Sequence, residues 1–129
     1  MRKVVLDTNI LVSAFWTENG NAADILRMFA NRKILPCYSA QIMAEYKTVL
    51  NRPKFAFEKA KIGIFINRIR ADGLPVSVRP SIVTFTDETD RKFYDVAKSC
   101  GATLITGNKR HFPDEPFIKT AAEFLAEYA

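Results

Sequence analysis

Three acidic side chains of this chain stand where the hydrophobic pattern would favour apolar residues. Asp7 interrupts the apolar stretch VVLDTNILV, and Glu45 falls at the edge of the apolar stripe of an amphipathic helix. Asp90 lies in line with the core face of another helix, whereas Asp95 on that helix points away and is expected to be solvated. Because a carboxylate is costly to bury unless it is paired or bound to a cation, these positions indicate a site.

The chemistry that such acids support is cation binding. Carboxylates that are brought together repel one another unless something neutralises them. Oxygen ligands without a cluster of His and Cys select Mg²⁺ or Mn²⁺, and an acidic metal site in a basic protein is suited to cutting phosphodiesters. Each acid also has a purely structural explanation: Asp7 could cap the segment after it, Glu45 could be a boundary residue, and Asp90 could favour a helix N-terminus.

The elements that must position these acids are short strands alternating with helices. The pattern predicts strands at residues 4–6, 34–38, 75–78, 103–106 and 117–118. It predicts a helix at about residues 10–16 with Asn9 as its cap, a second that begins at the cap Asn21, and a third from the cap Ser39 to about residue 51. A fourth helix is predicted at 57–71, and a fifth runs from the cap Asp87 to Cys100 and ends before Gly101. A sixth follows the capping box of Thr120 and Glu123. This alternation indicates an α/β fold around a mostly parallel sheet.

In parallel sheets the ligand lies beyond the carboxyl ends of the strands. Asp7 follows the first predicted strand and Asn108 follows the fourth, so both lie where a site is expected. Gly107 and Asn108 are also a common turn pair, which leaves a purely structural role open for Asn108.

The composition is that of one globular domain with a basic surface. The 129 residues suit a single domain, 1–129, and 48% hydrophobic with 26% charged residues argues against disorder. Lys and Arg number 19 against 14 Asp and Glu, and this net charge of +5 favours a polyanionic partner.

The cysteines and the apolar runs favour a soluble cytoplasmic protein. Cys37 and Cys100 lack the spacing of a zinc site or a disulfide framework, and we expect two free thiols. Asp7 comes too early for the apolar core of a signal peptide, and no apolar run approaches the length that spans a bilayer.

Four segments, in this order, resemble the PIN-domain family: DTN, SAQIMAEYKTVLNRPKF, TDETDRKFYDVA and LITGNKRHF. The sequence looks most like the VapC-type toxins of toxin–antitoxin pairs. The resemblance covers nearly the whole chain and implies a three-layer α/β/α sandwich with a mostly parallel central sheet. It also implies a Mg²⁺- or Mn²⁺-dependent endoribonuclease that hydrolyses RNA by metal-activated water.

The family pattern assigns roles to individual positions. Asp7, Glu45 and Asp90 match the family's carboxylates and are predicted to be catalytic and to bind the metal. Asn108 stands where the family often has a fourth acid, and we include it in the predicted catalytic set. A neutral ligand there should weaken a second metal site. His111 could contact phosphate or donate a proton, although it could also be solvated.

The remaining predicted contacts surround this set. Accessory roles are predicted for Thr8, Asn9, Asp87 and His111. RNA-binding roles are predicted for Lys109, Arg110, Arg52 and Lys54. Phe15 and Trp16 could stack on a base, pack in the core or form a dimer surface. By resemblance, the expected partners are RNA, a cognate antitoxin protein and a second copy of the chain.

Two other functions remain open from the sequence. Signalling receiver domains also place acids after the strands of a parallel sheet and bind Mg²⁺, but they need a phospho-accepting Asp after a middle strand. Residues 36–38 and 75–78 offer none. A non-catalytic relative that binds RNA or docks a partner would share the fold and lack cleavage.

Overall fold

The structure, a computed structural model, describes residues 1–128 of the chain. The strands are β1 (Arg2–Leu6), β2 (Ile34–Tyr38), β3 (Leu74–Pro75), β4 (Thr103–Ile105) and β5 (Ile118–Lys119). The helices are α1 (Thr8–Trp16), α2 (Asn21–Ala30), α3 (Ala40–Leu50), α4 (Lys59–Asp72), α5 (Arg91–Cys100) and α6 (Ala121–Ala126). Turns of 3₁₀ helix lie at Pro53–Phe55, Glu88–Asp90 and Lys109–His111.

The strands form one sheet in the order β3-β2-β1-β4-β5, with every neighbouring pair parallel. Val4 and Val5 point to opposite faces of the central strand, and both are fully buried. Helices therefore cover both faces, which is the condition under which an all-parallel sheet is stable. The predicted α/β sandwich with a parallel central sheet is confirmed.

Local sequence signals placed several elements well. Ser39 caps α3, its hydroxyl accepting a hydrogen bond from the Ile42 amide at 3.2 Å. Thr120 and Glu123 form the expected capping box of α6. Gly101 ends α5 with φ at 69°, a backbone conformation that glycine adopts without strain.

Other boundaries differ from the prediction. Thr8 is the first residue of α1 and Asp7 takes the N-cap position that was expected for Asn9. Asn21 is the first residue of α2 rather than its cap. The third strand covers only Leu74–Pro75. It lies at the edge of the sheet, and the backbone amide of the next residue, Val76, donates a hydrogen bond to the Tyr38 carbonyl.

The expectation that Asp95 is solvated was wrong. Its side chain is only 3% exposed, and one carboxylate oxygen is buried without a hydrogen-bond partner within residues 1–128. α5 packs on the sheet and on α3. The segment before α5 folds back over it, with Arg91 donating to the Ser81 carbonyl at 2.9 Å and the Arg79 amide donating to Ser99 Oγ at 3.0 Å. A helix covered on several sides has no fully solvated face.

The cysteines are free thiols, Cys37 buried and Cys100 partly buried, as expected. Burial raises the pKa of the Cys37 thiol to about 12, so it stays protonated at neutral pH. Among residues 1–128, no helix has both the length and the apolar composition that crossing a membrane requires.

Candidate active site

A cavity of about 480 Å³ lies at the carboxyl ends of β1 and β4, where the strand order predicts a ligand site. It brings together Asp7, Glu45, Asp90 and Asn108, which come from four distant segments of the chain. The cavity is also lined by Thr8, Asn9, Val12, Ser13, Val49, Arg52, Phe55 and Thr89. The predicted acids therefore converge on one cavity.

Asp7 is fixed by the register of the two central strands. Leu6 pairs with Ile105, and the Asp7 amide donates a hydrogen bond to the Ile105 carbonyl at 3.0 Å. This places Asp7 beside Thr106, whose hydroxyl donates to Asp7 Oδ2 at 2.8 Å. The side chain of Asp7 is held firmly, although it has no cationic partner among the described residues.

Burial dominates the ionisation of Asp7, which is 6% exposed. Its pKa is raised from 3.8 to about 6, chiefly by loss of solvation, and the negative charges of Asp90 and Glu45 contribute to the rise. The hydrogen bond from Thr106 opposes this rise without cancelling it. The carboxylate of Asp7 is thus destabilised by its surroundings, which is the condition that a bound cation would relieve.

A small hydrogen-bond network joins the loops beyond β1 and β4. The Asn9 amide group donates to Asp7 Oδ2 at 3.3 Å and accepts from the Gly107 amide at 3.0 Å. The Asn108 amide donates to Thr106 Oγ1 at 3.0 Å. Asn9 therefore links the Asp7 carboxylate to the loop after β4 in place of capping α1.

Glu45 enters the cavity because α3 is anchored on β1. The hydroxyl of its neighbour Tyr46, which is buried, donates to the Leu6 carbonyl at 2.5 Å. Glu45 accepts a hydrogen bond from the Thr8 hydroxyl at 2.5 Å and pairs with the Lys92 ammonium at 2.8 Å. Glu45 is thus the one of the three site acids that is paired with a lysine in the described part of the chain.

Asp90 carries an unpartnered buried oxygen. Its Oδ2 atom has no hydrogen-bond partner among the described residues, and the imidazole Nδ1 of His111 lies 3.8 Å from it. Burial and then the charge of Asp87 raise the pKa of Asp90, while His111 and Lys92 lower it in part. An oxygen left in this state is suited to accept a ligand bond.

The donor chemistry fits Mg²⁺ or Mn²⁺: carboxylate oxygens that burial destabilises, an amide oxygen at Asn108, and no thiol among the cavity-lining residues. The side-chain positions do not form a ready metal cluster. Within residues 1–128, no three His, Cys, Asp or Glu side chains are grouped closely enough to hold an ion together. Glu45 instead meets Lys92 and Thr8.

Several predicted site residues lie outside the cavity. Asp87 caps the 3₁₀ turn Glu88–Asp90, accepting hydrogen bonds from the amide and hydroxyl of Thr89 at 2.9 and 2.7 Å. Lys109 pairs with Glu123 of α6 at 3.0 Å, away from the acids. Lys54, Arg110 and His111 do not line the cavity either, so Arg52 is the predicted RNA-binding residue that does.

The sequence prediction gave no role to Thr106, Thr89 or Lys92. Thr106 follows β4 directly, so a strand-end rule could have found it once β4 was known to lie beside β1. Lys92 resembled a solvated helix residue, and nothing local distinguishes it from other lysines. Its contact with Glu45 depends on how α5 packs against α3.

The fold and the cavity define a parallel α/β domain with an acidic cleft beyond the strands of its central pair. The profile of the PIN domain matches residues 3–110 of the chain. The chain belongs to the PIN domain family.

The chain is similar to one known protein in sequence and to one solved structure in fold. The protein MJ1680 of Methanocaldococcus jannaschii is 29% identical over 110 residues, which is 83% of this chain and 71% of that protein. The crystal structure of VapBC2 from Rickettsia felis, bound to a DNA fragment from its promoter, has a chain that superposes with a TM-score of 0.57 at 17% identity. The match covers 92% of this chain and 96% of that one, and it shows a shared fold.

Proposed function

We propose that this chain is a Mg²⁺- or Mn²⁺-dependent endoribonuclease and the toxin of a toxin–antitoxin pair. The observation that supports a nuclease most directly is the meeting of Asp7, Glu45 and Asp90 in one cavity. Two of these acids have raised pKa values through burial. Retaining such carboxylates opposes folding unless they bind something positive.

The family and the fold support the nuclease class and suggest the biological setting. PIN domains are generally nucleases. VapBC2, which shares the fold, is a pair of proteins bound to their promoter DNA, so we infer that a cognate antitoxin also binds this chain. The net charge of +5 favours RNA as the substrate. We expect the chain to act in the cytoplasm as a homodimer.

In this proposal Asp7, Glu45 and Asp90 would hold the ion after their side chains move closer together than they lie in the structure, with Glu45 giving up its ion pair with Lys92. A divalent ion supplies an activated water and offsets the charge that develops on the departing oxygen. The chain's own contribution is positioning: Thr106 and Asn9 orient Asp7, while Thr8 orients Glu45. Arg52, which also lines the cavity, would hold a backbone phosphate.

The test is cleavage of an end-labelled RNA by the purified protein with Mn²⁺ or Mg²⁺. We expect cleavage that EDTA stops and that Asp7→Asn reduces by roughly a thousandfold, because several kcal/mol of transition-state stabilisation depend on the ion. Asp24→Asn is the matched control, since Asp24 is exposed on α2 and pairs only with Arg27 at 2.7 Å. Full activity of Asp7→Asn would contradict the proposed mechanism.

A second candidate is a non-catalytic PIN protein that binds RNA or a partner. The pairing of Glu45 with Lys92 and the neutral Asn108 in the cavity favour it. Intact RNA under both metals, together with retained RNA binding, would support this candidate. The receiver-domain alternative does not apply, because the chain belongs to the PIN domain family.

A further inference from the structure

Three aromatic rings cluster beside the acidic cavity, two of them half-buried and one exposed. Trp16, the last residue of α1, is 63% exposed. Its ring meets those of Phe55 and Phe57 edge-on, with both centroid distances at 5.9 Å. Phe55 and Phe57 stack on each other at 5.2 Å and 14°. We call Trp16, Phe55 and Phe57 the aromatic platform.

Trp16 and Phe55 lie outside the hydrophobic core and the layer packed against it, whereas Phe57 belongs to that layer and anchors the platform. Phe15 packs against Phe57 and Phe65 at centroid distances of 5.4 and 5.8 Å, and it belongs to the partly buried layer around the core. Trp16 does not belong to that layer. A single exposed tryptophan is ordinary, but one that joins two further aromatic rings forms a contiguous apolar patch, and such a patch indicates a binding site.

The platform continues directly from the cavity. Phe55 lines the cavity together with the three acids. Thr8 begins α1 inside the cavity and Trp16 ends it, so about 12 Å of helix separates the acids from the exposed ring at 1.5 Å per residue. A ligand that reached both would be an extended chain with flat groups along it.

Two positive charges lie beside the platform, together with the acidic Glu58 that follows Phe57. Arg52 and Lys54 precede Phe55 in the sequence, and the Lys54 ammonium lies 5.3 Å from the Phe55 ring centroid. Neither forms a salt bridge with a described residue. Free cations next to exposed aromatic faces are the combination that binds single-stranded nucleic acid, with phosphates on the cations and bases on the rings.

We propose that the aromatic platform stacks an unpaired base of single-stranded RNA, next to the phosphodiester that the acidic cavity receives. This inference rests on the proposed function, since it names the form of the RNA substrate. A base within a duplex is already stacked on both faces and cannot lie on a protein ring without being extruded. The platform therefore selects single strands over duplexes.

Trp16 is the only tryptophan of the chain, so its fluorescence reports directly on the platform. The experiment titrates Asp7→Asn protein in EDTA, which prevents cleavage, with a short oligouridine and with a duplex RNA of equal length. We expect saturable quenching by the single strand and much weaker quenching by the duplex. No quenching by the single strand would overturn the proposal.

Binding of labelled oligouridine to platform variants measures the contribution of each ring. We expect Trp16→Ala and Phe55→Ala to weaken binding roughly tenfold each, as is typical for loss of one base–aromatic stack. Trp16→Phe should restore most of the affinity, which a merely structural role of Trp16 does not predict. Tyr128→Ala is the control, because Tyr128 is an exposed aromatic residue on the far terminal segment, outside the platform.

The outcomes separate this inference from the proposed function. Unchanged RNA affinity in Trp16→Ala, with RNA cleavage intact in the wild type, overturns the platform alone. Quenching by single-stranded RNA without any cleavage by the wild type supports the platform and contradicts the nuclease. A change of oligomeric state in Trp16→Ala, with RNA affinity unchanged, assigns the surface to a second copy of the chain and also overturns the proposal.

Discussion

Carboxylates in two regions of the molecule experience opposite environments. In the cleft, burial raises the pKa values of Asp7 and Asp90. On α6 and just after it, hydrogen bonds and nearby cations lower the pKa values of Glu123 and Glu127. The two regions hold the same chemical groups, so the difference lies entirely in what surrounds them.

The partners explain the contrast. Glu127 lies between Arg2 and Lys119, the latter at 2.6 Å, and so ties α6 to the sheet. Glu123 completes the capping box and accepts from Lys109. Such acids favour the folded state, whereas unpaired buried acids oppose it. Asp7 and Asp90 are therefore retained in the cleft at a cost to stability, which indicates a role in function.

Asp7→Asn should give the largest effect on stability. A carboxyl pKa that is raised on folding opposes folding above that pKa, and the penalty disappears below the unfolded value. A shift from 3.8 to about 6 corresponds to about 3 kcal/mol. In EDTA, thermal or urea unfolding should show Asp7→Asn to be more stable than wild type by up to this amount above pH 6. The advantage should fade as the pH falls towards 4.

The same measurement has a built-in control. Asp24→Asn should show no such gain, because Asp24 is exposed and paired with Arg27. Adding Mn²⁺ should stabilise the wild type more than Asp7→Asn and reduce or reverse the difference. An Asp7→Asn variant that is less stable than wild type in EDTA at pH 8 would contradict the contrast between the two regions.

Lys92→Met should have the second-largest effect on stability. Lys92 offsets the charge of Glu45 inside the cleft, so its loss should destabilise the metal-free protein by about 1–2 kcal/mol. Removal of this competing cation should also enlarge the stabilisation by Mn²⁺, as measured by the rise in Tm. Lys109→Met is the matched control, because its partner Glu123 lies on α6. If Mn²⁺ raised the Tm of both variants equally, Lys92 would not be a cation that competes with the metal for Glu45.

Arg52→Ala tests the contrast through RNA binding. Arg52 lines the cleft and has no carboxylate partner within residues 1–128, whereas Lys109 is paired with Glu123. We expect Arg52→Ala to weaken RNA binding roughly fivefold at low salt and to reduce the salt slope by about one. Lys109→Ala should change both quantities less. A larger loss of RNA affinity in Lys109→Ala would indicate that RNA binds at the loop after β4 instead.

Glu127→Gln should have the smallest effect. It removes ion pairs with Arg2 and Lys119 that are partly open to solvent, and such pairs contribute little. We expect a slight decrease in Tm at low salt that high salt removes, with no change in the response to Mn²⁺. A decrease as large as that of Lys92→Met would show that the two regions are not as different as their surroundings indicate.

The sequence predicted the local features well because they depend on neighbours in the chain. Ser39 as a cap, the Thr120–Glu123 capping box and Gly101 at the end of α5 all follow from short-range hydrogen bonds or backbone preference. The short edge strand β3 and the burial of Asp95 were missed, because both depend on segments that pack from elsewhere.

The sequence by itself predicted the parallel α/β class, which is confirmed, and proposed Asp7, Glu45 and Asp90 as site acids, because periodicity, capping residues and unfavourably placed acids can be recognised without the structure. Only the tertiary structure decided that Thr106 holds Asp7, that Lys92 reaches Glu45, and that Lys109 turns to α6. These contacts join residues distant in sequence, and their partners are selected by strand order and helix packing. Charge alone does not say which carboxylate a lysine will meet.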